Sequence, residues 1–392
     1  MIFTPVNYER ANPYVYKLLL AIFYFDLLLG LCPAWQGSFI LRFISYESFM
    51  KIWQLGSLFV TISFSFLILC IQKKVYNPPI FFTIYILHIL FTTSIVLNGL
   101  KSGALAIVGI PLSYWVLYDT LKQYRFPPKH LKRAFYALLA WCIIPIFYYA
   151  VAPLDTKLLF MTGPEGQILT FGGFAQHRNF YGIFLGVAFI CTLIWKMKPS
   201  LKTLLCVLLS IGLILSVCRT AILSIAITVT YIFLFHKKIS IKKKIAFLCI
   251  LFIMGTLVYF ILTNSSLVTR DVSDNDDRIE LWSGIIKIIE KNFFWGVGEE
   301  ALYFSKGFPK GAPAHNFALA TIASYGIFVF VTFSILLILI FRYSGFYFNA
   351  FLIYLISWGL TQPYFGCTLI SIHILIPLFI GHLLDNNRDL IF

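Results

Sequence analysis

The sequence predicts an all-α integral membrane protein of about twelve transmembrane helices, with one long loop on the outer face between spans 9 and 10. Three observations lead there. Hydrophobic residues make up 60% of the 392 and charged residues only 12%, against roughly a quarter charged in an ordinary soluble domain. Mean hydropathy is +0.86 and is spread over many separate apolar runs, the pattern of a chain that crosses a bilayer repeatedly. The only long polar interval lies between Asn264 and Gly326 and holds eight of the sixteen acidic residues. A single membrane domain, 1–392, therefore carries one extramembrane insertion, 264–314.

Runs of roughly 17–25 apolar residues suffice to cross about 30 Å of hydrocarbon. In order they are 17–34, 53–72, 79–99, 103–121, 134–152, 179–195, 201–217, 220–235, 245–263, 315–341, 346–362 and 367–384. The first follows a short, weakly basic leader without a small-residue cleavage site at its end, so it is read as a retained span. Asn77-Pro78-Pro79 and Lys198-Pro199 act as helix stops, and 122–133, with Pro127-Pro128, is a stiff basic connector.

Orientation follows from Lys and Arg. With the N-terminus inside, 19 of the 31 fall on the inner side; of the 12 outside, 6 lie in the long loop, where they carry little topological weight. An even number of spans with both ends inside fits this distribution. The net charge of +15 then reads as topology and contact with anionic lipid. Nucleic-acid binding would need basic residues interleaved with aromatics on a soluble face, which is not the pattern here. The eight cysteines lie mainly within spans, without C-x-x-C or metal-type Cys/His spacing, and read as small buried hydrophobes.

Inside the insertion, Asp277 with Glu280 three residues on forms a capping-box arrangement. Trp282, Ile285, Ile286, Ile289 and Phe293 follow at helical spacing, and Gly296-Val297-Gly298 closes the segment. This predicts an amphipathic helix against the bilayer surface with Arg278 at head-group depth. A plain surface helix with a snorkelling Arg gives the same pattern.

Arg219 stands in a turn of almost no length between two apolar runs. Ionisable groups at that depth tend to mark substrate paths, though an interfacial Arg also snorkels there. His315-Asn316 opens a span, where unpaired amides and the helix dipole favour an anion, or where the two residues only satisfy backbone donors. Gln176-His177-Arg178-Asn179 opens another outer-side span.

The topology puts Arg178, Arg219, Arg278 and His315 at one boundary. Guanidinium groups beside an imidazole suit a pyrophosphate, held through forked hydrogen bonds. A neutral imidazole there can accept a proton from an attacking hydroxyl, and nearby positive charge favours that neutral form. No His/Cys or carboxylate set calls for a metal, and Arg alone can neutralise a leaving pyrophosphate.

These residues resemble a known family. Val217-Cys218-Arg219-Thr220-Ala221 before an apolar run is similar to a helix start of bacterial O-antigen ligases and polymerases. Gly173 to Gly182, through Gln176-His177-Arg178-Asn179, resembles their upstream outer-side segment. Arg278 with Trp282, then Asn292-Phe293-Phe294-Trp295-Gly296-Val297-Gly298, resembles their loop. His315-Asn316, with Gly326 ten residues beyond Asn316, is like the ligase signature. Val329 departs from the small or aromatic residue often found three positions after that Gly, which touches the ligase-specific part of the likeness only. The resemblance covers about residues 165–340.

The resemblance implies a metal-independent, cofactor-free, inverting transfer at the periplasmic face of the bacterial inner membrane. A glycan on undecaprenyl pyrophosphate would pass to a sugar hydroxyl, which in ligases belongs to the lipid A–core oligosaccharide. Carried onto this chain, His315, Arg219 and Arg278 would be catalytic: the arginines on the pyrophosphate, the imidazole as base or orienter for the hydroxyl. Arg178, His177, Asn179, Asn316 and Trp282 are the accompanying candidates for substrate binding. The spans would form a lateral cleft for the polyprenyl tail, and the periplasmic loop would close over the sugars. Twelve spans, one long loop and a length near 400 residues look more like ligases than polymerases, which resemble a larger set of spans with two substantial outer loops. A secondary transporter or lipid flippase is the rival from another class, with Asp26 as its acidic candidate and His88 and His373 as partners.

Overall fold

The computed structural model describes residues 12–32, 46–72, 77–98, 119–151, 161–162, 170–175, 178–237, 239–249, 273–298, 316–360 and 372–391. Among these residues it is a helical bundle. Its helices are α1 (Pro13–Gly30), α2 (Tyr46–Gln72), α3 (Pro78–Asn98), α4 (Pro128–Val151), α5 (Arg178–Ile194), α6 (Pro199–Ser216), α7 (Arg219–Phe235), α8 (Ser273–Lys291), α9 (Phe317–Tyr325), α10 (Ile327–Tyr343), α11 (Phe346–Gly359) and α12 (Ile372–Asn386). Two-residue strands β1 (Met161–Thr162) and β2 (Thr170–Phe171) pair antiparallel, Met161 opposite Phe171.

Local chemistry sets the helix starts. Four helices, α1, α3, α4 and α6, begin at a proline, whose fixed φ suits the first turn and whose missing N–H would have been unsatisfied there anyway. Asn12 caps α1, its side chain accepting from the Tyr14 amide at 3.0 Å. α1, α3, α4 and α6 are long and apolar enough to cross a membrane by length and composition; α5, α7, α10 and α11 are shorter apolar helices. Large apolar side chains point outward from them, with Leu28 72% and Ile214 70% exposed. A surface that apolar matches hydrocarbon, not water. The predicted runs 103–121 and 245–263 lie mostly outside the described residues, although 241–249 is helical.

The core is densest around α5, whose residues from Phe180 to Ile194 are almost all buried, and α11, which lies between α7 and α12. The Tyr354 side chain on α11 is fully buried and donates to the Ile183 carbonyl at 3.0 Å, so its hydroxyl is satisfied inside the bundle.

One end of the bundle is stitched together by polar contacts. The Asp385 carboxylate on α12 accepts from the Tyr347 and Phe348 amides at 3.0 Å each, capping α11 from another helix. His382 and Asn386 meet the Tyr124 carbonyl at 3.0 and 3.3 Å, and Asn387 donates to the Phe126 carbonyl at 3.1 Å. Trp195 bridges to Ile391. These are the segments that the Lys/Arg count assigns to the inner side, so they share one end of the bundle, termed the inner end, and the opposite end is termed the outer.

Three expectations change. The run 315–341 is not one span: it is α9 and α10, broken at Gly326, which sits at φ 87°. The amphipathic helix of the insertion begins at Ser273, four residues before Asp277, and ends at Lys291 rather than at Gly296. The acidic run Asp274–Asp277 therefore occupies its first turns, where the helix dipole favours negative charge. Finally, the apolar stripe of that helix does not rest on the bilayer alone. Leu281 and Ile285 are buried against Ala323, with Trp282, Ile288, Ile289, Val297, Leu319 and Ala320 around them, so α8 packs on α9, while Ile286 and Phe293 stay exposed.

Candidate functional site at the outer end of the bundle

The end opposite the Asp385 cap gathers the starts of α5, α7 and α10. Ring contacts fix the direction of α7: Tyr231 stacks on Phe346 with ring centroids 5.3 Å apart near its far end, which leaves Arg219 at the other. α10 likewise ends beside α11, where the Asn349 side chain donates to the Phe341 carbonyl at 2.7 Å, so Gly326, where α10 begins, lies at the end that carries Arg219, and α9 leads into it from Asn316. α5 ends at the Trp195–Ile391 bridge, which places Arg178 there too.

The α6–α7 turn is made by Val217 in the left-handed region, φ 49°, a conformation that costs energy for a β-branched residue and persists only where its surroundings enforce it. Here the Val217 amide donates to the Ile214 carbonyl and the Arg219 amide to the Val217 carbonyl, both at 3.1 Å. The turn is thus short enough for Arg219 to begin α7 directly, and its side chain is exposed. The next residues, Thr220 and Ala221, are buried.

α5 docks onto this turn through its first residues. The Cys218 thiol points at the Asn179 side-chain oxygen at 3.7 Å. A Cβ on Gly182 would stand 2.6 Å from the Cys218 sulfur, so only glycine permits this approach. Burial pushes the Cys218 thiol above its usual pKa, with the Ala221 backbone and the Arg178 charge opposing. Asn179, next to Arg178 in the chain, therefore touches the residue that precedes Arg219.

At α9, Asn316 is the N-cap. Its side-chain oxygen accepts from the Ala318 and Leu319 amides at 2.9 and 3.1 Å. Of the two roles open for this residue in the sequence, satisfying backbone donors is the one its oxygen performs. Arg278 lies on α8 and Trp282 one turn further on, half-buried against α9. His315, His177 and the Arg278 side chain lie outside the described residues, as does the His373 side chain.

The segment joining α8 to this end is fixed by backbone pairing. The Val297 and Gly298 amides donate to the Ala323 and Ser324 carbonyls, and the Ile327 amide donates to the Phe293 carbonyl, each at 2.9 Å. Gly296 and Gly326, at φ 68° and 87°, face one another across this contact. A Cβ on Gly326 would overlap the Phe294 carbonyl, and one on Gly296 the Ser324 carbonyl. The break that turns one apolar run into α9 and α10 is therefore the seat of the loop.

Sequence reasoning missed the contribution of α3. The Ser94 hydroxyl and the Asn98 amide both donate to the Trp295 carbonyl, at 2.7 and 3.1 Å. The available signal was two polar residues four apart at the outer end of an apolar span, Ser94 and Asn98.

For the transporter reading, Asp26 is buried in α1, which packs on α2 and α12, whereas His88 sits on α3, which packs on α9 and α10. The two belong to different parts of the bundle.

Apolar helices in an alternating bundle, with exposed apolar flanks and cationic helix starts at one end, define a multi-pass membrane protein. Residues 204–334, about a third of the chain, match the family model described as O-antigen ligase. The match supports membership of the O-antigen ligase/polymerase superfamily, and with it an enzyme. It runs from α6 into α10 and includes positions 219, 278 and 315. No curated protein matches the chain.

Proposed function

We propose that this protein is an O-antigen ligase of the bacterial inner membrane. It transfers a glycan from undecaprenyl pyrophosphate to a sugar hydroxyl of lipid A–core oligosaccharide at the periplasmic face. The observation that carries the reading is the O-antigen ligase match over 204–334, and the common end shared by the starts of α5, α7 and α10 is compatible with it.

In this mechanism the acceptor hydroxyl attacks the anomeric carbon of the donor, and its proton passes to His315. The new C–O bond forms as the bond from the anomeric carbon to the pyrophosphate oxygen breaks on the opposite face, inverting the centre. The negative charge left on undecaprenyl pyrophosphate is met by Arg219 and Arg278, with Arg178 nearby. Fixed guanidinium groups stabilise that charge most as it develops, which is where binding accelerates the reaction. α8 and the rest of the 264–314 loop exclude water from the sugars.

The test is a transfer assay with purified protein, lipid-linked glycan and rough lipopolysaccharide, run with and without chelator. Glycan on lipid A–core in both arms supports the proposal. A deletion strain separates the neighbouring activities. Loss of a ligase leaves bare lipid A–core while lipid-linked polymer accumulates; single attached repeat units in that strain would instead identify a polymerase. Parallel Asp26→Asn and Arg219→Ala variants address transport, since a transporter suffers more from the first.

A further inference from the structure

The geometry points to Ser94 and Asn98 of α3 as positioning residues that hold the segment after α8 in register with the α9–α10 break. This inference rests on the proposed transfer reaction, but it adds residues from outside the matched segment 204–334. The reasoning begins with the Trp295 carbonyl. It lies in the turn after α8, on a segment whose neighbouring groups are committed: the Gly296 amide to the Asn292 carbonyl, Val297 and Gly298 to α9, and the Phe293 carbonyl to α10. The Trp295 carbonyl faces α3, where the buried Ser94 hydroxyl meets it at 2.7 Å and the Asn98 amide at 3.1 Å.

Asn98 is itself held by a second bond, from the same nitrogen to the Ser94 carbonyl at 2.9 Å. The two donors are therefore set by the α3 backbone and cannot follow the loop if it shifts. A Cβ on Gly298 would lie 3.2 Å from the Asn98 Cβ, so the loop also abuts this side chain directly. Below it, Phe91 of α3 packs on Tyr325, the last residue of α9, with ring centroids 4.6 Å apart. α3 thus touches both partners of the loop–helix contact and fixes one against the other. α8, with Arg278, lies on one side of this junction, and α9, which follows His315, lies on the other. A slip of one against the other changes the separation between the leaving-group cation and the base. Misplacement of about 1 Å in a reacting constellation can cost on the order of a hundredfold in rate.

The test compares Ser94→Ala/Asn98→Asp with Ser94→Thr in lipid nanodiscs. The double variant removes both donors while nearly keeping the volume, and Ser94→Thr keeps the hydroxyl. Two measurements are made. Hydrogen exchange should show the Val297, Gly298 and Ile327 amides opening at least about tenfold faster in the double variant and near the wild-type rate in Ser94→Thr. In the transfer assay with lipid-linked glycan and rough lipopolysaccharide, kcat per folded molecule should fall about tenfold or more in the double variant, with KM for the acceptor within about twofold, while Ser94→Thr should keep kcat near the wild-type value.

Unchanged exchange in the double variant overturns the inference whatever the protein catalyses. Faster exchange with unchanged kcat overturns the positioning role. Equal losses in the double variant and in Ser94→Thr also overturn it, because the donor would not be the cause. Should the double variant not fold, the single changes Asn98→Asp and Ser94→Ala are measured in the same way. Failure of the ligase reading has its own signature: the exchange effect is present, but the wild-type protein transfers no glycan.

Discussion

The two ends of the bundle use their polar residues differently. At the inner end they close the fold: Asp385 caps α11, and His382, Asn386 and Asn387 hold the 124–126 carbonyls. At the outer end, the exposed Arg219 begins a helix at a left-handed Val217, and two glycines with positive φ seat a loop against a broken helix. One end is bonded for stability, while the other keeps one strained residue, the left-handed Val217, and an exposed cation. Strained backbone of this kind tends to cluster where ligands are handled, which is why the difference points to the outer end as the place of chemistry.

The largest effects should come from removing the outer-end guanidinium groups and the imidazole. Arg219→Ala, Arg278→Ala and His315→Ala should each lower transfer at least about a hundredfold while membrane insertion is retained. Lipopolysaccharide gels check this, and a normal ladder from any one variant removes that residue from the mechanism.

Next is Gly326→Ala, which must accept a Cβ against the Phe294 carbonyl at a φ that only glycine adopts freely. It should cost at least about 1–3 kcal/mol, read as a lower unfolding temperature. Gly56→Ala is the control, because its Cβ would meet only Leu29 at 4.0 Å, and it should be neutral or slightly stabilising.

The inner end makes a pH prediction. Burial pushes the Lys122 ammonium down to about 8, against the pull of Asp119. The folded state then binds this proton more weakly than the unfolded one, so stability should rise as pH increases from about 8 towards the ordinary lysine value of 10.5. Thermal unfolding across that window should show the rise in the wild type, and Lys122→Met should flatten it.

The smallest effect expected is from Asp385→Ala, about 1–2 kcal/mol from two lost acceptors. It should leave transfer per folded molecule within about twofold. A large drop in kcat there would blur the division of labour between the two ends.

Much of the fold is legible in the chain because crossing hydrocarbon imposes a length and a composition on each segment. The runs at 17–34, 79–99, 134–152 and 201–217 correspond to α1, α3, α4 and α6. The amphipathic pattern around Trp282 is equally readable, since helical spacing repeats whatever the partner. Its partner is not readable: lipid and the Leu319–Ala323 face of α9 offer the same apolar surface. Nor is the break at Gly326, where an apolar run continues on both sides and glycine alone does not end a helix.

The sequence by itself determined that this chain is apolar enough to enter membranes, where its apolar runs break, and that cationic residues stand at helix starts. Solvation decides all three locally, because each residue pays for hydrocarbon or water at its own position. Only the tertiary structure decided that α9 and α10 are separate, that α8 leans on α9, and that α3 reaches the Trp295 carbonyl from 201 residues away along the chain. Those outcomes depend on which backbone groups meet across the bundle, and hydrogen-bond partners so distant in sequence leave no local pattern to read.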